Sequence, residues 1–440
     1  MTNETPQNAP RRAVIVGGNR IPFARSNKEY SHASNQDMLT AALEGLIARF
    51  GLAGERIGEV AGGAVLKHSR DFNLVRECVL GSSLDPATPA FDVQQACATG
   101  MEAMGSIANK IKLGQIDSGI ASGVDTTSDA PIAVSDSLRV KLLDASRAKK
   151  PIDQVKIFGS LRPADFAPAA PTTGEPRTGL SMGEHQAITT AKWGVTRAEQ
   201  DELAAASHQN LAKAYDEGFF EDLITPYKGV SRDTNLRPDS TVEKLGKLKP
   251  VFGRSLDDEP TMTAGNSTPL TDGASALLIA TEEWAAERGL PVLADIVDQE
   301  AAAVDFVHGD EGLLMAPAYA TPRLLARNGL SFDDFDFFEI HEAFAGTVLS
   351  TMKAWEDEEF CTEKLGLDKP LGSIDRTKLN VKGSSLACGH PFAATGTRIA
   401  ATLAKMLRAK ADETGTTTRG LISVCAAGGQ GVVAILEARP

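Results

Sequence analysis

Four side chains in this 440-residue chain have the types that covalent acyl chemistry needs: Cys97, His341, His390 and Cys425. A thiolate attacks an acyl carbon, a histidine takes or shares the thiol proton, and N–H donors or a held water stabilise the tetrahedral oxyanion. A second cysteine can move a proton to or from carbon, which making or breaking a C–C bond beside a carbonyl requires. Each residue also has a plainer reading. Cys97 among alanines reads equally as a small buried hydrophobe, His341 as a satisfied core histidine, His390 as a turn residue and Cys425 as a buried strand-end thiol. Their settings carry the chemical reading. Cys97 follows the apolar run Ala90, Phe91, Val93 and precedes small residues at helical spacing (Ala98, Met101, Met104, Ile107), so it stands at a strand-to-helix turn. There the helix dipole favours the thiolate and lowers its pKa. Phe337-Phe-Glu-Ile delivers His341 and Glu342 to a helix start, Pro391 biases the His390 backbone away from the helical region, and Cys425 ends a strand that enters a glycine-rich turn.

The elements that must position these groups read as alternating strands and helices. Arg12–Val16 reads as a buried strand with a turn at Gly17-Gly18, residues 37–50 as an amphipathic helix closed by Gly51, Val60–Leu66 as a strand, 72–81 as a helix and Ser118–Val124 as a strand. This alternation predicts a mostly parallel sheet with helices on both faces. Gly17-Gly18 does not open a dinucleotide site, because the GxGxxG spacing is missing and Pro22 interrupts the helix that would receive a pyrophosphate. From about 126 to 270 the chain turns irregular and proline-rich, with helical patterns at 182–192 and 197–216, and reads as an insertion.

The second half retraces the first. Leu46-Ile-Ala-Arg-Phe-Gly-Leu52 is echoed by Leu324-Leu-Ala-Arg-Asn-Gly-Leu330, Ala98-Thr-Gly100 by Ala394-Thr-Gly396, and Ser118–Gly123 by Gly420–Cys425. Three echoes in one order imply a duplicated α/β unit, whose active site falls where the halves meet.

A formal net charge of −13 disfavours broad nucleic-acid or anionic-membrane binding. Five dispersed cysteines (78, 97, 361, 388, 425) fit neither a disulfide framework nor a paired zinc motif. Without an apolar signal core or a run of 18 apolar residues, no secretory leader or integral membrane segment is expected, and the cytoplasm is the default location. Residues 1–11 read as a disordered tail.

With these blocks in place the chain resembles the thiolases, the family of 3-ketoacyl-CoA thiolase and acetyl-CoA acetyltransferase, from about Arg12 onward. The resemblance rests on the block around Cys97, on Gly389-His390-Pro391, and on Cys-x-x-Gly-Gly-x-Gly at 425–431. His341-Glu-Ala-Phe344, where many thiolases have Asn-Glu-Ala-Phe, looks like the fatty-acid-oxidation branch that includes thiolase subunits of trifunctional complexes. The resemblance implies the thiolase fold, an α/β architecture of two duplicated halves layered α-β-α-β-α with an inserted loop domain. The halves are then 12–125 with 271–290, and 291–440, with the CoA-covering loop domain at 126–270. It also implies thiolytic cleavage of 3-ketoacyl-CoA, or the reverse Claisen condensation, by a ping-pong route through acyl-Cys97. His390 would activate Cys97, and Cys425 would exchange a proton with acetyl-CoA carbon. One oxyanion hole would be His390 with a water held by His341, the other the backbone N–H groups of Cys97 and Ala427. Met182, Arg237 and Thr268 are the implied CoA contacts, with Arg232, Lys244 and Lys247 as further basic candidates. His185 and Cys388 read as lining residues and Cys78 and Cys361 as structural. No cofactor or metal is implied, coenzyme A being a substrate. The implied partners are acyl-CoA and CoA, a homodimer or homotetramer, and in the oxidation branch a hydratase/dehydrogenase subunit.

The chain departs from the commoner pattern at Gln94, Ala98 and Ala427, where other members often have Asn, Ser and Gly. Three alternatives stand beside the degradative reading: a biosynthetic acetoacetyl-CoA thiolase, a decarboxylating ketoacyl synthase, which does not need Cys425, and a lipid-carrier or scaffold subunit without catalysis.

Overall fold

The computed structural model describes residues 11–256 and 259–440. The tail expected at 1–11 lies outside the described residues except for Arg11, which is paired with Asp117 at 2.7 Å.

The first half runs β1 (Val14–Arg20), α1 (Asn35–Phe50), β2 (Glu59–Gly62), β3 (Ala90–Asp92), α2 (Thr99–Lys112) and β4 (Ser118–Asp125). An excursion carrying α3 (Met182–Lys192) and α4 (Arg197–Asp216) follows before β5 (Thr271–Ala280) returns to the sheet. The second half runs β6 (Ala294–Ala303), α5 (Ala316–Asn328), β7 (Phe337–Ile340), α6 (Ala345–Glu356), α7 (Thr395–Thr414), β8 (Thr418–Ala426) and β9 (Gln430–Ala438). In space the strands follow the order β7-β8-β9-β6-β1-β5-β4-β2-β3. The halves join where β1 meets β6 over Val14↔Asp295 and Ile15↔Ala294.

The repeat read from sequence is the repeat of the fold. Within the first half β2 runs parallel to β4, β4 antiparallel to β5 and β5 antiparallel to β1. Within the second, β7 runs parallel to β8, β8 antiparallel to β9 and β9 antiparallel to β6. The expectation of a mostly parallel sheet is therefore corrected to a mixed one, because a hairpin closes the second half and the long excursion reverses the chain in the first. The echoed Arg-x-Gly-Leu segments close α1 and α5, where Gly51 (φ 66°) and Gly329 (φ 64°) take the left-handed conformation that ends a helix.

Strand alternation sorts the side chains into layers. From β5, Leu277 and Ile279 join Met101, Met104 and Ile107 of α2 and Ile399 and Leu403 of α7 in a central cluster. Leu278 and Ala280 turn the other way, onto Leu39, Leu43 and Ile47 of α1. From β8, Ile422 and Val424 face the central layer, while Leu421 packs with Leu324 of α5 and Val348 of α6. The result is helix, sheet, helix, sheet, helix, with α2 and α7 sandwiched between the two halves.

Two local expectations change. Gly17 and Gly18 do not turn; they lie inside β1, where a Cβ on Gly17 would sit 2.2 Å from the Phe50 ring and one on Gly18 2.5 Å from Ala401 Cβ. These glycines permit close packing. The strand expected over Val60–Leu66 ends at Gly62, because the N–H groups of Val65 and Leu66 bond to the Asp125 carboxylate (3.0 and 2.8 Å) and not to a neighbouring strand. The excursion is also more helical than its prolines suggest, with additional helices at Asp136–Arg147 and Pro151–Gly159.

Candidate active site

Cys97 occupies a turn between β3 and α2 that is closed by backbone bonds from Ala98 N to Gln95 O (2.9 Å) and Thr99 N to Ala96 O (3.1 Å) and braced by the Thr99 side chain. Thr99 Oγ1 accepts from Gln95 N at 2.9 Å and donates to Ala96 O at 2.7 Å. Ala96 pays for the sharpness of this turn with φ 46°, a left-handed conformation that costs a residue with a Cβ about 1–2 kcal/mol. Across the halves, α2 and α7 meet at their first turns. A Cβ on Gly100 would lie 2.8 Å from Ala393 O, and one on Gly396 2.6 Å from Met101 N. That close approach brings His390 to Cys97, with Nε2 3.1 Å from Sγ. The other imidazole nitrogen of His390, Nδ1, is 2.6 Å from Thr395 Oγ1, at the start of α7. Asp125 links the same regions, accepting from Ala393 N at 2.9 Å as well as from Val65 and Leu66.

His341 follows β7 and is anchored by its backbone N–H to Ser423 O at 2.8 Å. Its ring lies 4.2 Å from that of His390 between centroids, tilted by 49°, and its Nδ1 is 2.9 Å from Ser385 Oγ. The neighbouring Glu342 is buried and accepts from Ser207 of α4 (2.7 Å), Asn380 (2.8 Å) and Leu386 N (3.1 Å), so it ties the excursion to the segment leading to His390. Cys425 is the penultimate residue of β8, buried beside Phe344, Ala343 and Met262, with Met182 packed against the same cluster. The turn after it places the positive φ values on Gly428 (78°) and Gly429 (70°), so alanine at 427 fits without left-handed strain. Gly428 N donates to Glu175 Oε1 at 2.7 Å.

Burial governs the electrostatics. It pushes the Cys97 thiol up to about 12, against the pull of the Ala427 and Cys97 backbone N–H groups, while Asp125 and Glu175 raise it further. The expected lowering by the helix dipole is thus overturned: desolvation outweighs it. Burial, then the charge of Arg398, lowers His390 to about 3. His341 is held well below its ordinary value by burial, His390 and Arg398. Cys425 is raised by burial and by the neighbouring Cys97. Near neutral pH the site therefore holds two thiols and two neutral imidazoles. One donor atom each from Cys97, His341 and His390 lies within 4.8 Å of the others, a soft nitrogen and sulfur set that suits zinc.

The structure thus brings Cys97, His341, His390, Cys425 and Ala427 together. The other sequence candidates stand around them or apart. The Thr268 hydroxyl donates to Ala343 O at 2.9 Å, pinning the segment after His341. Arg237 folds back onto the carbonyls of Thr234 (3.1 Å) and Leu236 (2.8 Å), Arg232 pairs with Asp216, and Lys244 pairs with Asp239. His185 bonds to Thr178 Oγ1 at 2.7 Å and meets Phe306 edge-on, and Cys388 belongs to the central core cluster. Cys78 and Cys361 are buried. Sequence reasoning missed Asp125, Glu175, Ser385, Thr395 and Arg398. Of these, Thr395 lay inside the recognised Ala-Thr-Gly echo; the rest depend on long-range packing.

Comparison with known proteins shows the family and the fold. The model of the thiolase N-terminal domain matches residues 13–283 and that of the thiolase C-terminal domain residues 290–438. A 3-ketoacyl-CoA thiolase of Yersinia pestis (strain Pestoides F) is 38% identical over 432 residues, covering 97% of each chain. Among solved structures, the acetyl-CoA acetyltransferase of Bacillus anthracis superposes with a TM-score of 0.79 at 28% identity, covering 98% of this chain and 100% of that one. Human mitochondrial 3-ketoacyl-CoA thiolase in complex with CoA superposes with a TM-score of 0.77 at 26% identity, covering 97% of this chain and 98% of that one.

Proposed function

The chain belongs to the thiolase family and is an acyltransferase, and from that premise we propose that it cleaves 3-ketoacyl-CoA to acetyl-CoA and a shortened acyl-CoA in fatty-acid β-oxidation. The observation that carries the reading is the 3.1 Å contact between Cys97 Sγ and His390 Nε2, with Cys425 close enough to shift its own titration through Cys97. In the first half-reaction Cys97 sulfur attacks the 3-keto carbon as its proton passes to His390. The C2–C3 bond breaks, the acyl group stays on Cys97, and Cys425 protonates the departing acetyl-CoA carbanion. The proton on His390 then returns to Cys425. In the second half-reaction the CoA thiol passes its proton to His390 as its sulfur attacks the thioester, and the departing Cys97 sulfur takes that proton back as acyl-CoA leaves. The backbone N–H groups of Cys97 and Ala427 face the first-formed tetrahedral oxyanion, and a water held by His341, with His390, faces the enolate oxygen.

Each proton step has a side chain in place, so the reading invokes no metal or prosthetic group; CoA is a substrate. Met182, Arg237 and Thr268 remain our assigned CoA contacts. We place a second copy of the chain on the outer edge of β3, which ends the sheet, and a hydratase/dehydrogenase partner on the exposed apolar side chains Ile152, Val155, Phe158 and Phe166. Among the described residues no helix is long and apolar enough to cross a membrane, and the cytoplasm is our assigned location. The test is thiolysis against straight-chain 3-ketoacyl-CoA substrates of increasing length. Activity on medium or long chains supports the degradative reading; turnover of acetoacetyl-CoA alone replaces it with the biosynthetic one.

A further inference from the structure

His341 is held by a chain of three buried groups that decides which of its nitrogens carries hydrogen. Its Nδ1 lies 2.9 Å from Ser385 Oγ, and the same oxygen lies 2.8 Å from Arg398 Nη2. Arg398 Nη1 reaches Ser384 Oγ at 3.3 Å. Ser385 is fully buried and Arg398 is 4% exposed. A guanidinium can only donate, so Ser385 Oγ accepts at that contact. The hydroxyl has one hydrogen of its own, and among the described residues its remaining partner is His341 Nδ1.

If Nδ1 carried hydrogen, two donors would face Ser385 Oγ and the hydroxyl hydrogen would be buried without an acceptor. A buried polar group left unpaired is strongly disfavoured. With the hydroxyl donating to Nδ1, Ser385 Oγ and His341 Nδ1 are both paired, and only Arg398 Nε and His341 Nε2 are left without a protein partner among the described residues. A doubly protonated imidazolium is opposed by burial, by the adjacent His390 ring and by Arg398. The hydrogen therefore sits on Nε2, which is buried and has no protein partner. With Nδ1 taken by Ser385, Nε2 is the nitrogen that His341 presents toward Cys97 and His390.

We infer that Ser385, fixed by Arg398, is a positioning residue that holds His341 in its Nε2–H form, making it a hydrogen-bond donor into the space beside Cys97. Glu339 leaves this arrangement undisturbed. Both of its oxygens are unpaired, so it makes no bond that would draw the guanidinium away from Ser385. The neighbouring His390 is held by a separate contact, its Nδ1 2.6 Å from Thr395 Oγ1, and directs Nε2 at Cys97.

In naming the group that His341 serves, a thioester or enolate oxygen through its water, this inference rests on the proposed thiolysis. The test separates the two. In protein labelled with 15N-histidine, the His341 signals are identified by their loss in His341→Asn. The wild type is expected to show a protonated Nε2 and an unprotonated Nδ1. Ser385→Ala is expected to mix or invert that pattern and to lower thiolysis kcat about tenfold with KM little changed, the scale of one lost hydrogen bond, while acyl transfer from acyl-CoA to Cys97 continues. Ser385→Thr is expected to restore both. A wild-type His341 protonated on Nδ1 overturns the inference without any variant having to fold, as does an unchanged pattern and kcat in Ser385→Ala. A wild type that shows the Nε2–H form but no thiolysis supports the positioning role and rejects the proposed function.

Discussion

Gly100 offers a way to move the nucleophile without touching it. Its absent Cβ would lie 2.8 Å from Ala393 O and 2.9 Å from Thr397 N, in the first turns of α2 and α7. Ordinary contacts of this kind begin at about 3.4 Å, so Gly100→Ala must part the helices by ~0.6 Å. Cys97 stands two residues before α2, and His390 is bonded to Thr395 at the start of α7, so the displacement falls on their contact. From 3.1 Å it stretches to ~3.7 Å, too long for efficient proton transfer. A 1 Å misplacement costs about a hundredfold in rate, so acylation of Cys97 is expected to fall by roughly ten- to a hundredfold, with about 1–3 kcal/mol of stability lost to overpacking. The assay is rapid-quench mass spectrometry of acyl-Cys97 from a saturating acyl-CoA, well below the melting temperature of each variant. Gly114→Ala is the control. It lies just beyond the far end of α2 with φ 71°, and its Cβ would meet only the Arg11 side chain at 3.9 Å, an ordinary contact, so it is expected to lose about 1 kcal/mol of stability and no acylation rate. If Gly100→Ala acylates within twofold of the wild type, helix contact does not set the Cys97–His390 geometry.

Cys97→Ser is expected to abolish both acyl-enzyme formation and turnover, whereas Cys425→Ala keeps acylation and loses carbon–carbon cleavage; thiolysis retained in the second variant removes the role assigned to Cys425. Acid is expected to destabilise the fold below about pH 6.5. Burial lowers His390 to about 3 and, with Arg237, His208 to about 4, so the unfolded chain takes up their protons first and stability falls as pH drops through that window. The full slope of about 1.4 kcal/mol per group per pH unit is reached only below the unfolded pKa, so the two histidines together cost roughly 3 kcal/mol between pH 7.5 and 5.5. Urea midpoints that do not move between pH 7.5 and 5.5 contradict this. Zinc at micromolar concentration is expected to inhibit by binding Cys97, His341 and His390, with recovery on chelation, while a chelator alone leaves activity intact. Loss of activity to the chelator rejects the metal-free reading.

The strand-to-helix turns were legible because they are local. Small residues after Cys97 and the glycines closing α1 and α5 announce themselves in a window of ten residues, and their repetition exposed the duplication. Other features depend on distant partners. Gly17-Gly18 has the composition of a turn, and only the approach of Phe50 and Ala401 explains why it is strand. Ser385 and Arg398 are unremarkable in sequence and gain their roles from a bond to a histidine 44 residues before Ser385. The pKa of Cys97 misled for a related reason: the helix start is local, whereas the burial that overrides it exists only in the folded chain.

That override has a chemical consequence. With Cys97 raised and His390 lowered, the proton stays on sulfur while the site is empty, and transfer to His390 alone runs uphill. A thiolate becomes accessible only as its electrons move onto an acyl carbon, so bond formation and proton transfer are coupled to the presence of substrate. In the proposed thiolysis the negative charge then falls on the substrate oxygen, for which the backbone N–H groups of Cys97 and Ala427 are the proposed donors. Two helix starts supply the field, because the pairing of Gly100 with Gly396 points the positive ends of α2 and α7 into the same junction. Neither half could form this site alone: one holds the nucleophile, the other both histidines and Cys425, and the glycines let them meet.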